Sequence, residues 1–129
     1  MSELKRKDLL IINDSLLYLS NLKTKAWYGV SRNLQKIKSS LEEIDENRKN
    51  ITEKLQKKDK NGSVVTEEVN GMKIPVFENK EEADKLWQEF MDEDAPAIEF
   101  YEIEIKKLED VELDAIVIEP LLDKILVEK

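Results

Sequence analysis

A chain of 129 residues without a single cysteine or histidine cannot build a disulfide, a thiolate or imidazole metal site, or a nucleophile–histidine catalytic pair. Charged residues make up 39% and hydrophobic residues 40%, a balance that favours one folded domain over disorder, and no apolar run approaches the ~20 residues of a membrane span. The net charge of −8 argues against nucleic acid or an anionic membrane as partner, but it is unevenly divided: residues 1–60 hold 14 Lys+Arg against 9 Asp+Glu (+5), and residues 61–129 hold 7 against 20 (−13).

The first predicted element is a helix from about Lys7 to Ser20, on which Leu9, Ile12, Leu16 and Leu19 repeat at helical spacing and Leu10 and Leu17 widen the stripe. A break at residues 21–24 follows, with Thr24 placed to cap a second helix from about Lys25 to Lys58. Trp27, Val30, Leu34, Ile37, Leu41, Ile44, Arg48, Ile51 and Leu55 alternate spacings of 3 and 4 along it, a coiled-coil-like seam with one polar member. Such a helix would be roughly 50 Å long and needs a partner along its length. Arg48 can lay its methylenes on the seam and lift its guanidinium to solvent, or meet a carboxylate of a partner.

Lys58 to Gly62 reads as the stop and turn after the long helix. Val64 to Val69 and Met72 to Phe77 flank Asn70-Gly71, the pairing that a two-residue hairpin turn demands, and Pro75 confines the second strand to an edge or bulge. A helix over 80–94 then carries Ala83, Leu86, Trp87 and Phe90 and supplies an antiparallel partner for the long helix. Asp94-Ala95-Pro96 ends it, and Ile98 to Ile105 alternates as a third strand that could join the hairpin. The tail is apolar, with a final helix over about 119–127 opened by Pro120, and strand over Ile116 to Ile118 as the competing reading. The expected fold is therefore α+β in one domain over 1–129: a long helical hairpin, a β-hairpin or three-stranded antiparallel sheet, and a C-terminal helix.

No glycine-rich phosphate loop exists, since Gly29, Gly62 and Gly71 stand apart. Asp92, Glu93 and Asp94, followed by Glu99, Glu102 and Glu104, are the one grouping that could hold a hard cation, and in a chain with 29 acidic residues a solvated acidic face explains them more simply. No catalytic residue, cofactor or metal ligand is expected. Trp27 and Trp87 fall on apolar faces and are expected in the core, whereas Tyr28, off the seam, is expected to be an exposed contact together with Arg32 and Asn33. Because the flanking helices are shorter than the seam, Ile37, Ile44 and Arg48 are expected to face a second copy in a dimer, and Asp92, Glu93 and Asp94 complete the candidate interaction surface.

The order of parts, with Tyr28-Gly29-Val30 and Asn33-Leu34 opening a long charged helix, the Lys58-Asp59-Lys60-Asn61-Gly62 turn and the Leu108-Glu109-Asp110-Val111-Glu112-Leu113 tail, resembles small proteins of tailed bacteriophages and prophages. That resemblance brings no assigned activity and implies a cytoplasmic, non-enzymatic accessory protein acting through protein–protein contacts, as an assembly factor or adaptor. An acidic inhibitor of a host defence or nucleic-acid enzyme is the alternative, and a metal-dependent hydrolase the second. The helix, hairpin, helix order also resembles prefoldin-type subunits in topology alone.

Overall fold

The computed structural model describes residues 4–122 and 124–128. Its helices are α1 (Arg6–Ser20), α2 (Trp27–Leu55), α3 (Lys80–Asp92) and α4 (Ala115–Ile118), and its strands are β1 (Thr66–Val69), β2 (Met72–Pro75), β3 (Ile103–Glu104) and β4 (Leu126–Val127). Two compact units are formed: one by residues up to Leu41 together with those from Asp94 onward, the other by Glu42–Glu93. The fold is α+β, and α2 supplies residues to both units.

The three longer helices, α1, α2 and α3, begin beside a polar side chain that accepts from a backbone amide at the helix start. The Lys5 amide donates to Asp8 Oδ2 at 2.9 Å ahead of α1, and Thr24 Oγ1 accepts from the Ala26 amide at 3.0 Å ahead of α2. Asn79 Oδ1 accepts from the Glu82 amide at 3.1 Å and caps α3.

In the first unit α1 turns Leu9, Ile12, Leu16 and Leu19 onto Val30 and Ile37 of α2, and Ile103, Leu108, Leu121, Ile125 and Leu126 from the end of the chain close that core. Burying aliphatic side chains of this size contributes about 1.5–3 kcal/mol each, which makes this cluster the main source of the unit's stability. β3 pairs parallel with β4, Ile103 opposite Leu126, and the Ile103 amide donates to the Ile125 carbonyl at 2.7 Å. The stretch Ile98 to Ile105 thus does not join the hairpin as a third strand. Only Ile103 and Glu104 are paired, and their partner comes from the tail.

The C-terminal helix is also displaced from its expected range. α4 precedes Pro120, a 3-10 turn covers Glu119–Leu121, and Leu122 leaves in extended geometry with ψ of 143°. Proline lacks an N–H and cannot continue the α-helical ladder, so α4 gives way to the 3-10 turn, and beyond it Lys124 and Ile125 form a turn that leads into β4.

In the second unit α2 and α3 lie side by side, with Ile44, Ala83 and Met91 buried. The Asp59 carboxylate accepts from the Asn61 and Ser63 amides at 2.8 and 3.0 Å, and this folds the chain back after α2. Asn70 and Gly71 have φ of 52° and 79°, the left-handed pair that a two-residue type I′ turn requires. β1 and β2 pair antiparallel, with Val69 opposite Met72 and Thr66 opposite Pro75.

Candidate functional site

Three aromatic rings meet on the surface of the first unit. Trp27 and Tyr28 touch edge to face with centroids 5.8 Å apart, and Tyr28 meets Tyr101 in the same way at 5.6 Å. All three remain open to solvent, at 65%, 49% and 40% exposure. Trp27 is therefore not a core residue. It occupies the first turn of α2 on the outer row that continues through Leu34 and Leu41, whereas the buried row begins one residue earlier, at Ala26.

That buried row explains how the patch is held. Ala26, Val30, Asn33, Ile37, Ser40 and Ile44 recur at spacings of 4, 3, 4, 3 and 4, and all are buried. Asn33, expected as an exposed contact, is fully buried and spans both polar groups of one distant residue: its Nδ2 donates to the Tyr101 carbonyl at 2.8 Å, and the Tyr101 amide donates to its Oδ1 at 2.7 Å. A side-chain amide thus replaces the strand partner that the 98–102 stretch lacks, which satisfies backbone groups that are costly to leave unpaired.

One turn earlier Gly29 lets this stretch approach the helix. A Cβ at that position would lie 2.6 Å from Ile103 Cγ1 and 3.2 Å from Tyr101 Cδ1. Gly29 and Asn33, four residues apart on one helix face, together seat the Tyr101 backbone so that its ring meets Tyr28. Gly29→Ala should gain up to about 1 kcal/mol of helix propensity. Overpacking against the buried Ile103 costs about 1–3 kcal/mol, so a net loss of about 1 kcal/mol is expected, read as a lower urea midpoint at unchanged slope. A higher midpoint would show that Ile103 yields.

Lys25 and Lys107 border the patch, lining a small cavity of about 30 Å3 with Tyr28, Tyr101 and Glu102. Arg32 is exposed on α2. Ile37 and Ile44 are fully buried within the chain, so neither offers a surface to a second copy, and the uncovered strip expected along the seam is absent at both. Their removal from the candidate surface has the same cause as that of Asn33: the faces they occupy are already covered.

Arg48 remains exposed, but its guanidinium lies 4.7 Å from the Trp87 ring centroid, and Trp87 stacks on Phe90 at 6.3 Å. The seam's one polar member thus meets an aromatic face instead of bare solvent or a carboxylate. A double-mutant cycle with Arg48→Met and Trp87→Leu should return a coupling of about 0.5–1 kcal/mol, the range for a solvent-accessible cation–π pair. A coupling of zero would make the approach incidental.

Asp92 ends α3, Glu93 caps it, and Asp94 pairs with Lys5 in an isolated antiparallel bridge; all three are exposed. Among the described residues no three acidic side chains come together in a way that could hold a metal ion. Asn47 Nδ2 is buried without a hydrogen-bond partner beside an open groove of about 490 Å3 between α2 and α3. No helix of the described residues is long and apolar enough to cross a membrane. Comparison with protein families, characterised proteins and solved structures finds no match.

Proposed function

We propose that the chain is a non-catalytic accessory protein of phage type, an adaptor or assembly factor that works through protein–protein contact, with Trp27, Tyr28 and Tyr101 as its contact patch. The observation that supports this reading is the exposure of three touching rings on a pre-set backbone. Tryptophan and tyrosine are the residues that dominate binding energy at protein interfaces, because each buries a large rigid surface at small entropic cost. Here the Gly29 approach and the Asn33 clamp fix the Tyr101 backbone in advance, so less ordering has to occur on binding.

The test places a photo-crosslinking amino acid at Trp27 in cells that express the protein, with the same group at exposed Lys38 as control. One dominant protein adduct at Trp27 is expected, reduced at least about tenfold when Tyr28 and Tyr101 are both alanine. Identical adducts from both positions would sink the proposal.

A further inference from the structure

The hairpin of the second unit carries an open strand edge. Among the described residues β1 is paired with β2 alone, and every residue from Thr66 to Ile74 is exposed. The Val76 amide donates to the Val65 carbonyl at 3.0 Å, while the Val65 amide donates to the Lys57 carbonyl at 2.8 Å and the Lys57 amide to the Val76 carbonyl at 2.6 Å, so 65 and 76 stand in the phase of a bonded pair with Lys57 inserted between them. Such pairs alternate along an antiparallel ladder, so 67 with 74 and 69 with 72 are bonded, while 66 with 75 and 68 with 73 are not. The backbone groups of Thr66 and Glu68 therefore point outward from β1, and those of Lys73 and Pro75 outward from β2. Proline has no N–H to offer, which leaves the outer edge of β2 deficient in donors and that of β1 complete.

Side chains divide by the same alternation. Glu67, Val69, Met72 and Ile74 share one face, on which the three apolar residues are exposed. Thr66 and Glu68 lie on the other, Glu68 opposite Lys73. An isolated two-stranded hairpin is marginal in water, so a third strand would add both hydrogen bonds and cover.

We propose that the β1 edge receives, as an added antiparallel strand, an extended segment of another protein that carries two adjacent basic residues. Charge selects this occupant. Glu67 and Glu68 are neighbours, one on each face, and outward-pointing residues pair only with outward-pointing ones, so β1 laid on β1 of a second copy and centred on Glu67 or on Glu68 would set that glutamate against its own copy, an arrangement that destabilises a sheet. Pairing of β1 with β2 of a second copy would meet Pro75, which lacks the donor. An incoming strand with an apolar residue opposite Val69, basic residues opposite Glu68 and Glu67, and a β-branched residue opposite Thr66 satisfies all four positions. Main-chain bonds to Thr66 and Glu68 would supply affinity, and the paired charges specificity. This reading uses none of the three aromatic residues of the contact patch.

The test uses the full chain and a labelled, capped peptide with the core Val-Lys-Lys-Thr, followed by fluorescence anisotropy and by amide exchange in NMR spectra. Binding is expected to protect the Thr66 and Glu68 amides and to leave those of Glu67 and Val69, already bonded to β2, unchanged. A Val-Glu-Glu-Thr peptide should bind at least about tenfold more weakly, and joint Glu67→Lys and Glu68→Lys substitution should reverse the preference, since opposite-charge pairs favour cross-strand pairing and like pairs oppose it. Trp27→Ala should bind the lysine peptide as the parent chain does, which separates this proposal from that of the aromatic patch. No binding at about millimolar peptide, a preference unmoved by the charge swap, or protection at Lys73 instead of Thr66 and Glu68 would each overturn it.

Discussion

Ile37→Pro is expected to leave the chain largely unfolded at room temperature. Ile37 lies in the interior of α2 with no exposed surface, and the helix runs through it without interruption. Proline there removes one helical hydrogen bond and clashes with the preceding turn, at about 3 kcal/mol or more. Loss of the buried side chain adds roughly another 2–5 kcal/mol, and the total rivals the 5–15 kcal/mol that holds a typical domain. Far-UV circular dichroism should show collapse of helical signal, whereas Ile37→Val, which keeps the helix and trims one methyl group, should cost only about 1 kcal/mol. Full helicity and an unchanged melting temperature in the proline variant would mean that α2 is not one helix through this point.

Asn33→Leu should be the next most damaging change, by about 3 kcal/mol and roughly 10 °C in melting temperature. Leucine is close to asparagine in size and is ordinarily welcome in a buried row. At this position it would strand both the amide and the carbonyl of Tyr101, and each unsatisfied backbone group costs about 1–3 kcal/mol. Release of that clamp should also free the Tyr101 ring, so near-UV circular dichroism should weaken with the loss of the Tyr28 contact. A variant as stable as the parent, with the aromatic signal intact, would show that the clamp does not hold the patch.

What could be read from the sequence is what is written locally. α1, α2 and α3 follow from apolar spacing, and the hairpin from Asn70-Gly71, because the physics of each lies within a few residues. The row that actually faces the core of α2 was harder to find, since Ala26, Asn33 and Ser40 alternate with Val30, Ile37 and Ile44 on it. Leu34 and Leu41, the louder signals, sit half-buried on the flank, and a seam drawn through them carries Trp27 inward by mistake. Gly29 and Asn33 at a spacing of four, both poor helix formers, were the available hint of a close approach. Ile98 to Ile105 alternates and announces a strand, but its pairing partner leaves no local trace, because the two residues of β4 are too few to show alternation.

The first unit is discontinuous along the chain, and this bears on how it is made. During synthesis Leu9, Ile12, Leu16 and Leu19 of α1 are made well before Leu121, Ile125 and Leu126, which close over them. The whole of Glu42–Glu93 is synthesised in between and holds together through its own contacts. The second unit therefore has all its parts before the first does, and the apolar face of α1 needs shelter until residues 121–126 have been made.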